Sequence, residues 1–334
     1  ELRYMSSYFA VYGDPLLDPE LDPYPESLLA RLSKLGVNGV WLQAILYNMI
    51  PFEEAPEFSA NWQKRIEGLR KLVDKAAKYG IGIYLYYNEP RAMPLSFFEK
   101  YPDWKGHVND QHASLCTSSP AVLDYVRKGT ARLFQEVPGL AGLFTITMSE
   151  NMTHCYSRAG GGQTNCPRCA KRKPQDVVAE LNRVIEEGVH SVRPDARVIC
   201  WTWGYARSFG WNQEMAREAI ASFPDHITVM STSEDDMETN VAGVKGRIVD
   251  YSISNIGPGD KSLDIWKAAD KRGLQTAAKV QFNNTWEMSA VPYIPVLDLV
   301  DTHLQRLSAA NVNGLMLSWT LGGYPSQNLQ LASQ

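Results

Sequence analysis

Eight short β-branched or aromatic runs lie along this chain, separated by polar loops and amphipathic helices. The runs fall at 4–12, 39–47, 81–88, 141–149, 197–204, 227–233, 275–284 and 312–319. Strands that alternate with helices must pair in parallel, because each helix carries the chain back across the sheet. Eight is also the number that closes such a sheet on itself. The helical segments 25–35, 63–79, 120–136, 174–192, 212–222, 262–272 and 293–310 carry apolar residues at helical spacing, as at Ile66, Leu69, Leu72, Val73, Ala76 and Ala77. "KLGVNGVWL", "KYGIGIYLY" and "AANVNGLML" share one form: helix end, turn residue, buried strand. The expected fold is an α/β protein, a (β/α)8 TIM barrel, with 1–334 as a single barrel and a Cys-rich loop at 151–173. A ninth run, 247–254, breaks the alternation and is placed in an excursion after the sixth strand. A doubly wound open sheet is the competing fold. Against it, no Gly-rich phosphate loop follows the first strand, and "AGGGQ" at 159–163 lacks the Lys of a P-loop.

Composition narrows the partners. With 334 residues, 44 % of them hydrophobic, the chain can bury a large core. The net charge of −4 offers no basic field for nucleic acid or an anionic membrane. No apolar run approaches the roughly 18 residues of a membrane span. The chain opens at Glu1 with neither Met nor an apolar leader, so its start does not identify a compartment. Nor does the sequence give an oligomeric state.

In a closed barrel, chemistry gathers where strands end. Here those ends carry Gly13-Asp14-Pro15, Gln43 to Asn48, Asn88-Glu89-Pro90-Arg91, Ser149-Glu150-Asn151, Trp201 with Trp203 and Tyr205, Ser233-Glu234-Asp235, Asn283 to Glu287, and Trp319 with "LGGYPS". Carboxylates, carboxamides and indoles suit sugars, whose C–H faces stack on rings and whose hydroxyls pair with carboxylates and amides. Cleaving a glycosidic bond needs one carboxylic acid for the leaving oxygen and a second group for the oxocarbenium-like centre. Glu150 and Glu287 end the fourth and seventh strands, and are the expected pair: Glu150 as general acid/base, Glu287 as nucleophile. A carboxyl separation of about 5–5.5 Å would retain the anomeric configuration, and about 6.5–9.5 Å would invert it. Burial beside Trp201 and Trp203 is expected to raise the Glu150 pKa. Arg91, Asn151, Tyr205 and Asn284 are expected to bind hydroxyls, Trp201 and Trp203 to contact the substrate, Trp286 to form a sugar platform, and Trp319 a wall around the cleaved sugar. Glu89 reads more simply as an ion-pair partner of Arg91, and Glu234 as part of a solvated acidic loop.

Carboxylates after strands four and seven resemble the arrangement of the retaining barrel glycosidase clan, which carries Asn-Glu at strand four where this chain has Ser149-Glu150. The run from "GLFTITMSE" through "NCPRCAKRKPQDVVAELNRVIEEGVHSVRPDARVICWTWGYA", with "VNGLMLSWTLGGYPS", is similar to the barrel of family-20 hexosaminidases and their α-glucuronidase-like and endo-hexosaminidase relatives. The likeness spans about two thirds of the chain. It implies a glycoside hydrolase with a carbohydrate substrate and no cofactor for catalysis. Family-20 enzymes place Asp-Glu at strand four, the Asp orienting a substrate acetamide that acts as nucleophile. Ser149 stands in place of that Asp, which favours a protein nucleophile. A substrate-assisted hexosaminidase and a catalytically silent glycan-binding barrel remain the alternatives.

Five cysteines complete the reading. Cys200 lies in the apolar run RVICWTW and is expected to fill core. Cys166-Pro-Arg-Cys169 is a Cys-x-x-Cys knuckle, and Cys155 with either Cys116 or His154 could complete a tetrahedral zinc site. A disulfide from Cys155, or free thiols, are the competing readings. Zinc would fit a cytoplasmic protein, a disulfide an exported one.

Overall fold

The computed structural model describes residues 1–6, 13–148, 150–205, 209–283, 294–319 and 322–333. Eight parallel strands close into a barrel: β1 (Leu2–Ser6), β2 (Gly39–Gln43), β3 (Gly82–Tyr86), β4 (Gly142–Thr145), β5 (Arg197–Trp201), β6 (Ile227–Thr232), β7 (Gln275–Lys279) and β8 (Gly314–Met316). β1 pairs with both β2 and β8, which closes the ring. All eight expected runs supply one barrel strand each. The open-sheet alternative is thereby overturned. Residues 7–12 of the first run lie outside the described residues.

The helices that return the chain are α1 (Glu26–Lys34), α2 (Trp62–Ala77), α3 (Pro120–Glu136), α4 (Pro174–His190), α5 (Gln213–Ala221), α6 (Asp260–Asp270) and α7 (Leu297–Ala309), followed by the short α8 (Gln327–Leu331). The three repeated motifs share one geometry. Gly36, Gly80 and Asn311 each take a left-handed backbone at φ 75°, 68° and 56°. The next amide then reaches back to the helix: Val37 to Leu32, Ile81 to Ala76, Val312 to Leu307. This is the Schellman ending, which satisfies the last helical carbonyls and aims the chain into the next strand.

Alternation along the strands divides the core in two. Val40, Leu42, Ile83, Leu85, Leu143, Val198, Cys200, Val229 and Ala278 face the helices. Tyr4, Trp41, Tyr84, Tyr86, Phe144, Ile199, Trp201, Met230, Ala277 and Met316 fill the barrel itself. Rings this large need room. A Cβ at Gly39 would lie 2.8 Å from Tyr4 Cβ and 2.9 Å from the Tyr84 ring, so glycine there lets the lowest ring layer form. Cys200 is core, as expected.

Two excursions leave the alternation. Between β3 and α3, strands Met93–Pro94, Lys105–Asn109 and His112–Leu115 form a small antiparallel sheet over its own apolar cluster. Between β6 and α6, Glu238–Val241 and Val244–Arg247 form a hairpin, within the excursion expected after the sixth strand.

Candidate functional site

The strand ends open onto an aromatic floor. Trp319, only 9 % exposed, packs its ring 4.9 Å from Trp41, 5.2 Å from Trp201 and 5.5 Å from Tyr86. Trp201 is buried and donates through Nε1 to Thr232 Oγ1 at 3.1 Å, so it belongs to this floor and supports Trp319 from below. Trp203, half-buried, donates through Nε1 to Asp250 Oδ1.

Glu150 stands at this mouth, just beyond β4. The Tyr86 hydroxyl at the end of β3 donates to its Oε2 at 3.0 Å, and Asn88 Nδ2 donates to that same hydroxyl at 2.7 Å. Asn88 Oδ1 in turn accepts from the Ile146 amide at 2.6 Å. A relay from β3 thus fixes both the backbone leaving β4 and the carboxyl beyond it. Burial, then the adjacent Glu150 charge, push the Tyr86 phenol well above its ordinary pKa, so it stays protonated and remains a donor. Glu150 itself is exposed. This corrects the expected cover by Trp201 and Trp203: those indoles are held in the floor and by Asp250, while the carboxyl reaches towards solvent from Tyr86. The carboxyl borders a cleft of about 390 Å³ lined also by Tyr47, Arg91, Asn109, Asn151 and Arg158.

Arg91 and Asn151 meet across this cleft, Nη1 donating to Oδ1 at 2.5 Å. Arg91 Nε lies 3.8 Å from Glu89 Oε1, and its Nη2 has no hydrogen-bond partner among the described residues. Glu89 is the ion-pair residue its position suggested, and it does more. Its carboxyl accepts from the Leu46 amide at 2.9 Å and the Arg91 amide at 3.1 Å, from full burial. That burial pushes its pKa up to about 7, against the downward pull of Arg91 and the two amides.

Two expectations fail. Tyr205 is wholly buried in the layer between barrel and helices, its hydroxyl 2.7 Å from Thr147 Oγ1 and its ring against Trp211. That burial leaves it no open face towards the cleft: a turn after β5, closed by the Tyr205 amide on the Thr202 carbonyl at 2.9 Å with Gly204 at φ 88°, breaks the alternation and carries the side chain outward. Nor is Glu234 in a solvated loop. It is fully buried, 3.1 Å from His303 Nε2 on α7, and neighbouring Asp235 pairs with Lys261 at 2.8 Å. Partners from distant helices reach in and cover a run that in isolation looks exposed. Ser149, Asn284, Trp286 and Glu287 lie outside the described residues.

Sequence reasoning missed Tyr86, Asn88, Tyr47 and Lys279. For the first two the signal was present, since Tyr84, Tyr86 and Asn88 share one face of an alternating strand. Lys279 is fully buried at the end of β7, 3.8 Å above the Tyr251 ring. Burial pushes its pKa down to about 7, against the opposing charges of Glu234 and Asp250.

Behind the cleft, Cys116, Cys155, Cys166 and Cys169 are buried with all four sulfurs within 4.8 Å of one another, a grouping able to hold a metal ion. All four are free thiols, so the expected alternative of a disulfide is not what this structure contains. His154 is buried apart from that group, its Nδ1 accepting from the Tyr156 amide at 3.1 Å.

No protein-family profile matches this chain, and no curated protein matches it. Solved structures do. The catalytic domain of β-amylase from Paenibacillus polymyxa is similar with a TM-score of 0.58 at 10 % identity, over 100 % of this chain and 97 % of that one. PbGH5A, a glycoside hydrolase family 5 enzyme from Prevotella bryantii, is similar with a TM-score of 0.57 at 11 % identity, over 100 % and 96 %. A GH138 enzyme targeting pectin rhamnogalacturonan II gives 0.55 at 14 % identity over 95 % of this chain, which spans about a third (34 %) of its length. At such identities the likeness is one of fold: the closed eight-stranded parallel barrel that glycoside hydrolases also use. No helix among the described residues is long and apolar enough to cross a membrane.

Proposed function

We propose that the protein is a retaining glycoside hydrolase that removes a terminal sugar, with Glu150 as general acid/base and Glu287 as nucleophile. The observation that carries this reading is the Glu150 carboxyl itself: at the mouth of the barrel after β4, bonded to Tyr86, beside a polar cleft and an aromatic floor. The fold shared with GH5, GH138 and β-amylase structures supports the reaction class. In the first step Glu150 protonates the glycosidic oxygen as its bond to the anomeric carbon breaks, and the Glu287 carboxylate forms an ester to that carbon. In the second, Glu150 takes a proton from water, the water oxygen bonds to the anomeric carbon, and Glu287 leaves. Tyr86 occupies one Glu150 oxygen and leaves the other for the leaving group. Arg91, Asn151 and Asn284 would hold hydroxyls, with Trp286 and Trp319 as stacking faces. No cofactor enters either step. The substrate-assisted hexosaminidase route is disfavoured by Ser149, which cannot act as the acetamide-orienting Asp.

The test is turnover across a panel of aryl glycosides and natural glycans, with Glu150→Gln and Glu287→Gln beside the wild type. At least one glycoside should be hydrolysed, and each variant should lose about 10³-fold or more in kcat/KM with an unchanged circular dichroism spectrum. Near-wild-type turnover in both variants would overturn the assignment. Glycan binding without any turnover would leave only the silent barrel.

A further inference from the structure

We propose that Cys116, Cys155, Cys166 and Cys169 together bind one zinc ion as four thiolates, and that this ion clamps the loop after β3 to the loop after β4. The argument is geometric and stands apart from the reaction. Zinc–sulfur bonds of about 2.3 Å in a tetrahedron set sulfur–sulfur edges of about 3.8 Å. Cys116 Sγ lies 3.6 Å from Cys166 Sγ and 3.7 Å from Cys169 Sγ. A disulfide would require about 2.0 Å. All four side chains are fully buried, so the sulfurs face one another away from solvent.

The local chain is shaped for the task. Cys166-Pro-Arg-Cys169 folds as a turn closed by the Ala170 amide on the Cys166 carbonyl at 2.9 Å, so one knuckle aims two sulfurs at the same point. Cys116 comes from a different loop, directly after the last strand of the small antiparallel sheet, its amide held by the Trp104 carbonyl at 2.8 Å. Tyr156 ties the knuckle down through its hydroxyl, which donates to the Cys169 carbonyl at 2.8 Å. Four thiolates around a divalent cation leave a surplus of negative charge, and donors answer it. Arg168 Nε donates to Cys116 Sγ at 3.3 Å, and Ser118 Oγ lies 3.2 Å from Cys169 Sγ. Such outer contacts are what orient and stabilise zinc thiolates. Softness of the donor set selects zinc over the hard cations.

The two loops the ion would join are the same two that meet at the cleft through Arg91 and Asn151. Zinc would therefore brace the wall that carries Glu150 from behind, without touching substrate.

The test is elemental analysis of the full chain purified without chelator, together with thiol titration and intact mass. We expect one zinc per chain, with all five thiols unreactive in the folded protein, Cys200 through its burial and the other four until an organomercurial displaces the metal. Cobalt substituted for zinc should give the intense visible bands of a tetrahedral tetrathiolate site. Cys169→Ser should lose the zinc, or fail to fold unless metal is supplied in excess. Cys200→Ser, outside the cluster, should keep it. A folded, metal-free protein would overturn the proposal, whether its mass shows the hydrogens lost to disulfides or all thiols react once it is unfolded. So would iron in place of zinc, or zinc retained in full by Cys169→Ser.

Discussion

Tyr86 is where a single hydroxyl decides most. Its oxygen sits between Asn88 and Glu150, buried, accepting from one and donating to the other. A hydrogen bond to a charged group is worth roughly 1.5–3 kcal/mol, and here it also fixes the direction in which the carboxyl points. Tyr86→Phe removes that bond while keeping the ring that packs at 5.0 Å on Phe144. Turnover should fall by about 10- to 100-fold. The loss should be largest for substrates with poor leaving groups, because a misdirected acid matters most where the leaving oxygen needs its proton. Steady-state kinetics across a series of aryl leaving groups check both. An equal loss for every leaving group would mean that Tyr86 only supports the floor. The same residue shows how legibility works at this scale. Glu150 was readable because a carboxylate after an apolar strand is conspicuous. For Tyr86 only the face of the strand was readable, because its role depends on a hydrogen bond across 64 residues of sequence.

Between elements, Glu89 is the joint. Leaving β3, it accepts from the amide of Leu46, at the start of the short helix Leu46–Met49 that follows β2, and so locks two neighbouring strand ends. Its ordinary pKa of 4.5 rises to about 7 in the fold. The folded protein therefore binds more protons than the unfolded chain between those values, and stability falls as pH rises through that window. Glu89 contributes fully below the lower value. By about pH 7 and above, up to about 3 kcal/mol of that contribution is lost. Glu89→Gln should flatten this part of the stability profile in urea unfolding at pH 5, 6, 7 and 8. Equal slopes for wild type and variant would contradict the assigned burial effect. At this scale the sequence was a good guide where a local rule governs: Gly36, Gly80 and Asn311 announce their turns, and helix spacing located α1 to α7 to within a few residues. It failed where neighbours come from far away. Glu234 was read by its own run of charges, but His303 and Lys261 reached in from later helices. The small sheet at 93–115 went unread because its strands are short and cover a cluster of their own.

For the whole molecule, the alternation of strands and helices announced a parallel sheet covered on both faces, and the count of eight, with no Gly-rich loop after the first strand, favoured the closed ring over an open sheet. The ring gathers residues scattered over the chain into one mouth: Trp41, Tyr86, Glu150, Trp201 and Trp319. Spacing alone does not reveal how far Glu150 stands from Glu287, since that distance depends on the shape of two long loops. The pairing of those two carboxylates on one sugar is the central claim, and azide rescue tests it most directly. On an activated aryl glycoside, Glu150→Ala with azide should yield the glycosyl azide with retained configuration, because Glu287 still forms the ester that azide then opens. Glu287→Ala with azide should yield the inverted glycosyl azide, because azide attacks the anomeric carbon in its place. The same anomer from both variants, or rescue of neither, would contradict the account.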